Sequence, residues 1–364
     1  MNILFLTGNL AIGGTELYAL DYAKAMIHNG HKVWWASIKD GPMREIAERD
    51  GVELLHCSFE NRMPILLFRA VCQLRKICKE KNIEIIHAID AYTALVAVIA
   101  FKKKEQKPKL IWSSVGIGSK SYSLMQKICE SGLDCIIAPS HFIRNRMIEE
   151  GFRPEKILVY AQSRPMKDSS IDRDSVRELF GIKKSDFVIG TMGRVVRMKG
   201  NRTVIIALKR VIEQYDNVKL LVVGDGPEKK ELEELARSLG IEKHVVFAGF
   251  RTDIENMYAA FDMVAFPTYY EALGYIPYEA MYYEKPLVAS LTGGIPEIVI
   301  NDYNGLLVPP AMEKEWADAI MQIVGDKEEY DKLKGNGKDY YNKNLAYDDT
   351  HQKLEAIYRG VRRG

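Results

Sequence analysis

Cysteine is scarce in this chain, and its spacing offers no pairs. Cys57, Cys72, Cys78, Cys129 and Cys135 are odd in number and contain no CxxC step, which excludes a disulfide framework and a zinc ribbon. Cysteines scattered along apolar faces behave as small core residues in a reducing compartment, so a cytoplasmic protein is expected. Long hydrophobic runs are missing too. The apolar stretch 94–101 falls far short of the about 20 residues that a membrane span needs. The opening Met1-Asn2-Ile3-Leu4-Phe5-Leu6-Thr7 has no basic leader and reads as a buried strand rather than a signal peptide. Low-complexity tracts and solenoid repeats are absent. So are HExxH and any ligand-spaced His/Cys cluster, and no essential metal is expected.

A strong excess of one charge is also lacking, since the formal net charge is +2. That balance hides an asymmetry: residues 1–165 carry 23 basic against 17 acidic side chains. A basic first half favours an anionic surface or acceptor. The stretch 62–81 (Arg62, Arg69, Arg75, Lys76, Lys79 and Lys81 beside Leu66, Leu67, Ala70 and Leu74) could rest on an anionic membrane. Its apolar stripe is needed for the core, which favours an ordinary Rossmann helix with a solvated cationic face. Lys102-Lys103-Lys104 adds a second basic cluster. Aromatics interleaved with basic residues for stacking bases are not evident, so nucleic acid is not an expected partner.

What is present is rhythm. Short β-rich runs at 3–7, 33–37, 52–56, 83–87, 110–113 and 135–138 each precede a stretch with helical spacing, the pattern of βαβ units around a parallel sheet. A polar, punctuated segment interrupts it at about 161–185. A second series then follows at 187–192, 219–223, 245–247, 263–266 and 287–289. The chain therefore divides into an α/β domain over 1–165, a linker over 166–185 and a second α/β domain over 186–345. A last helix, 346–364, is positioned to pack back on the first domain. Ligands of doubly wound sheets sit at the C-terminal strand ends, here in a cleft between two such domains.

Several of those strand ends carry glycine. Gly8 to Glu16, with Gly13-Gly14, follows the first strand, but its spacing is not GxGxxG, so a nicotinamide-dinucleotide fingerprint is not satisfied. After 187–192 comes Gly193-Arg194-Val195-Val196-Arg197-Met198-Lys199-Gly200, where Arg194 and Lys199, flanked by the two glycines, suit a pyrophosphate. Gly224-Asp225-Gly226-Pro227 opens the next helix. Then Glu271 and Glu279 flank Ala272-Leu273-Gly274-Tyr275, and with Glu271 in the loop and Glu279 on the helix both carboxylates can face one ligand. Thr292-Gly293-Gly294-Ile295-Pro296-Glu297 is a further glycine-rich entry. Asp172-Arg173-Asp174 looks like a metal-binding DxD, but its place just before Val176 favours helix capping.

Taken in order, Gly193-Arg194 with Lys199-Gly200, Val223 to Pro227, Gly249-Phe250, Pro267-Thr268 with Glu271 and Glu279, Gly293 to Glu297, and Asn304 to Pro310 resemble the GT-B family of retaining glycosyltransferases called family 4. The first half resembles it more loosely, through Gly13-Gly14-Thr15-Glu16, His87-Ala88-Ile89-Asp90 and Ser140. It departs at Val115, where the family often has histidine, and at Tyr160 to Arg164, where many members have a Pro-Asn-Gly-Val turn. The resemblance implies a GT-B fold, two Rossmann-like doubly wound parallel-sheet domains facing a central cleft. It implies a UDP- or GDP-sugar as substrate, UDP foremost, with no tightly bound cofactor, and a glycan or lipid-linked acceptor in surface polysaccharide or lipopolysaccharide assembly. Arg194 and Lys199 would neutralise the donor diphosphate, Glu271 would face the sugar and Glu279 the ribose. Gly13, Gly14, Gly193, Ala272, Leu273 and Gly274 would approach the donor through backbone, and Arg251 would lie near the base. His87 and Asp90 are acceptor-side candidates. A sugar-nucleotide epimerase or hydrolase, or a non-catalytic nucleotide-sugar-binding subunit, are the competing readings.

Overall fold

A computed structural model describes residues 1–11, 13–37, 39–56, 64–101, 107–114 and 129–363. The chain forms two units, Met1–Arg164 with Tyr347–Gly364, and Pro165–Ala346.

The sheet of the first unit is parallel throughout. It contains β1 (Asn2–Thr7), β2 (Lys32–Ser37), β3 (Glu53–His56), β4 (Ile85–Ala88), β5 (Lys109–Ser113), β6 (Cys135–Ala138) and β7 (Ile157–Val159), in the order β3-β2-β1-β4-β5-β6-β7. Ile3, Leu4, Phe5, Ile85 and Ile136 have essentially no exposed surface, because helices cover both faces of such a sheet. The strand order reverses between β1 and β4, and Gly8 and Asp90 lie just beyond those two strands. The helix Tyr347–Arg363 completes this unit. Leu354 and Tyr358 are wholly buried, and Glu355 accepts from Asn29 Nδ2 at 2.8 Å and pairs with His31 at 3.1 Å.

In the second unit β8 (Phe187–Met192), β9 (Val218–Val223), β10 (Val245–Gly249), β11 (Met263–Phe266), β12 (Leu287–Ser290) and β13 (Leu306–Val308) are parallel in the order β10-β9-β8-β11-β12-β13. The reversal here falls between β8 and β11. The loops that leave these two strands carry Lys199 and Glu271, so the topology alone brings them to one place.

The sequence reading missed β7 and β13. Each is a three-residue edge strand, too short for a β-period to emerge, and Leu158 in β7 is 41% exposed. The stretch 166–185 is also more than a linker: it belongs to the second unit and contains the helix Arg173–Glu178. Asp172 caps that helix, accepting from the backbone N–H groups of Asp174 and Ser175. Its Arg177 is fully buried, with Nε and Nη2 donating to the Ala260 carbonyl and Nη1 to the Asp186 carbonyl. Polar composition marked this segment as a linker because the partners of that arginine lie elsewhere in the chain.

Candidate functional site

Four loops interlock at the C-terminal edge of the second sheet. Val195 is buried and its N–H donates to the Asp225 carbonyl at 2.9 Å, tying the β8 loop to the β9 loop. The Met198 carbonyl accepts from Tyr269 N at 2.8 Å and from Thr268 Oγ1 at 3.1 Å, tying the β8 loop to the β11 loop. The Glu271 carbonyl accepts from Gly294 N at 3.1 Å, which adds the β12 loop. Glycine is needed where the backbones touch. At Gly200 (φ +68°) a Cβ would lie 2.0 Å from the Pro267 carbonyl oxygen, and at Gly293 (φ +59°) it would lie 1.8 Å from that of Glu271. Any side chain at either position would force loops apart.

This frame places Lys199 against Glu271, with Nζ 2.5 Å from Oε2. The lysine ammonium also lies 5.7 Å from the centre of the Phe266 ring. Both groups are partly exposed, at 30% and 19% of the side chain, so each remains open to a ligand. Arg194 is exposed, and its guanidinium has no ion-pair partner among the described residues. Gly193 adopts φ +132° at the loop entry. After Glu271, Ala272 and Leu273 bury their side chains. The N–H groups of Leu273 and Gly274 meet no acceptor among the described residues. Cations on one loop and N–H groups without acceptors on the next are groups that can hold a diphosphate.

Glu271 lies in the loop and Glu279 on the helix Ile276–Tyr282. Glu279 is 3% exposed, and Tyr258 donates its hydroxyl to Glu279 Oε2 at 2.7 Å. Arg251, expected near a base, is engaged by its neighbour: Nε and Nη2 donate to the two carboxylate oxygens of Asp253 at 2.8 and 2.7 Å. The guanidinium holds the Asp253 carboxyl below the usual carboxylate range, and Phe250 beside it stays exposed.

The first unit corrects one expectation. His87, read as an acceptor-side contact, has no exposed surface. Its Nδ1 meets the Tyr358 hydroxyl at 2.5 Å and its Nε2 meets Ser113 Oγ at 2.7 Å, while Phe5 and Tyr22 pack on the ring. It fastens the C-terminal helix to the sheet. Burial pushes its pKa down to about 3. The unfolded value is about 6.5, so folding favours the neutral ring, and stability is full above that pH and is lost as pH falls below it. The wild-type protein should lose about 2 kcal/mol through this group between pH 7.5 and pH 5. Denaturant unfolding of wild type and His87→Gln at both pH values checks this; an equal pH-dependent loss in the two proteins would contradict it.

Asp90 caps the helix Ala91–Phe101, accepting from Thr93 N at 2.9 Å and Thr93 Oγ1 at 3.0 Å. Gly13 caps the helix Gly14–His28 in extended backbone, and Gly14 has open space around its Cα. Burial raises the carboxyls of Glu16 and Asp90 above their ordinary values, and Asp90 adds to the rise at Glu16. Val115 and Lys102-Lys103-Lys104 lie outside the described residues. Sequence reasoning missed Tyr258 and Tyr358, because a tyrosine on an apolar helix face reads as core until its partner is known.

Residues 172–340 match the family model for glycosyl transferases group 1, and residues 12–160 match that for glycosyltransferase family 4. Together the two matches take in most of the chain. The segment 172–340 belongs to the group 1 glycosyl transferases. Among relatives of this family, the chain is 27% identical to alpha-D-kanosaminyltransferase of Streptomyces kanamyceticus, over 56% of this chain and 54% of that protein. It is 32% identical to D-inositol 3-phosphate glycosyltransferase of Corynebacterium urealyticum, over 52% of this chain and 46% of that one. The chain thus spans about half the length of these curated relatives. A solved structure of Anabaena HepE in complex with UDP and glucose superposes with a TM-score of 0.88 at 25% identity, covering 99% of each chain. Among the described residues, no helix is long and apolar enough to cross a membrane.

Proposed function

We propose that the protein is a retaining glycosyltransferase that moves a hexosyl or N-acetylhexosaminyl group from a nucleotide sugar, UDP-linked foremost, to a hydroxyl of a glycan or lipid-linked acceptor. The observation that carries this reading is the Lys199–Glu271 pair beside an unpaired Arg194 on interlocked loops. Likeness over the full chain to a protein solved with UDP and glucose supports UDP as the nucleotide.

In this reading Lys199 and Arg194 neutralise the diphosphate and the charge that grows on it as the glycosidic bond breaks. Glu271 orients the sugar hydroxyls and Glu279 accepts from the ribose. The departing phosphate oxygen takes the acceptor's proton, so no side-chain nucleophile is needed. Without an acceptor, water substitutes slowly. Proton NMR of UDP-glucose and UDP-N-acetylglucosamine hydrolysis should show the α-anomer of the free sugar first. The β-anomer appearing first would overturn retention.

A setting in surface polysaccharide or lipopolysaccharide assembly, the habit of the family, supports contact with an anionic membrane. The helix Pro64–Glu80 carries Phe68, 68% exposed, among exposed Arg69, Lys76 and Lys79. The protein should cosediment with vesicles containing phosphatidylglycerol, and 0.5 M salt should weaken that binding through screening (Debye length of roughly 4 Å). Phe68→Ser with Arg69→Ser should release it. Equal binding to neutral vesicles would contradict an anionic partner.

A further inference from the structure

Tyr258 lies on the helix Ile254–Ala260 and has no exposed surface, yet it carries a hydroxyl, which burial penalises unless it is hydrogen-bonded. That hydroxyl donates to Glu279 Oε2 at 2.7 Å. The ring is itself fixed. Tyr283 stacks on it with centroids 4.7 Å apart and an interplanar angle of 14°, and Phe261 meets it edge-on at 5.5 Å. Tyr283 is anchored in turn, donating its hydroxyl to the Lys167 carbonyl at 2.6 Å. A glutamate on a short helix keeps several rotamers in reach. One carboxylate oxygen held by a rigid phenol leaves the other in a defined direction.

We propose that Tyr258 is a positioning residue for the donor site: it holds the Glu279 carboxylate in the orientation that accepts from the ribose hydroxyls. This rests on the reading of Glu279 given above and extends it to a residue 21 positions away. Tyr258 touches no substrate. Its contribution is to order Glu279 before the nucleotide arrives, so that binding does not have to restrict that side chain.

The test is calorimetric titration of wild type, Tyr258→Phe and Glu279→Gln with UDP and with 2′,3′-dideoxy-UDP. Phenylalanine keeps the stacked ring and removes only the hydroxyl. Wild type should prefer UDP over the dideoxy nucleotide. Tyr258→Phe should weaken UDP binding roughly fivefold while changing dideoxy-UDP binding less than twofold, and Glu279→Gln should reduce the same preference. Equal weakening of both nucleotides by Tyr258→Phe, or an undiminished preference, would overturn the positioning role while Glu279→Gln still shows the ribose contact. If Tyr258→Phe does not fold, that too overturns it, because the hydroxyl then serves the fold. No preference in wild type, or no binding of UDP, would overturn the donor reading of Glu279 and the proposal with it.

Discussion

Lys199→Ala should lower kcat/KM for sugar transfer by about 10²- to 10³-fold, the usual effect of removing one preorganised donor from a site of developing negative charge. The pairing with Glu271 sets the direction of two further effects. Without Lys199 the Glu271 carboxylate would stand uncompensated close to an anionic donor, so nucleotide affinity should fall together with turnover. In Glu271→Ala the ammonium is released from its 2.5 Å partner and becomes fully available to phosphate. That variant should bind UDP at least as tightly as wild type while losing transfer to a similar degree. The fold should survive in both, because the two side chains are partly exposed and the loop frame is held by backbone bonds. Titration of UDP alongside a transfer assay checks this. Wild-type turnover in either variant would remove the pair from the reaction.

Arg177→Met should destabilise the second unit by about 3–5 kcal/mol and lower its Tm by roughly 10 °C. Methionine fills much of the space, so the loss is electrostatic rather than a cavity. Arg177 Nη2 donates to Asp262 Oδ2 at 2.6 Å, and that carboxylate also accepts from Val188 N at 2.7 Å at the start of β8. Removing the cation leaves a buried carboxylate whose remaining ion pair among the described residues is with Arg173, at 2.9 Å. The Ala260 and Asp186 carbonyls lose their donors too. Arg177→Lys should recover part of the loss, since an ammonium cannot reproduce the fork. A Tm within 2 °C of wild type for Arg177→Met would show that the guanidinium does not fasten this segment. That threshold lies below the roughly 2–4 °C expected for each kcal/mol in a unit of this size.

The loops at the C-terminal edge of the second sheet were legible because each is local: a buried strand, a glycine turn and a charged residue follow one another within about ten positions, as in Gly193 to Gly200. Strands 135–138, 187–192 and 263–266 were read with the bounds that the structure gives, since each is a short apolar run closed by a polar or glycine turn. What escaped was contact between distant parts of the chain. One partner of His87 is Tyr358, 271 residues on, and one of the carbonyls that Arg177 binds lies 83 residues away. No periodicity or motif encodes such pairs, so His87 read as a site residue and 166–185 as a linker. The ion pair of Arg251 escaped differently. Asp253 stands two residues away in plain view, but the sequence does not say whether a neighbouring carboxylate will turn toward the guanidinium or away.

On this reading the second unit binds a nucleotide sugar through Lys199 and its interlocked loops. The most direct measurement is thermal unfolding of the purified protein with UDP, GDP, ADP and their common sugar conjugates, in Mg²⁺ and in EDTA. UDP and its conjugates should raise the transition selectively and equally in both conditions, by about 2.7 kcal/mol at 100 times the dissociation constant, and Lys199→Ala should lose most of that gain. No shift with any nucleotide in the wild-type protein would contradict the account.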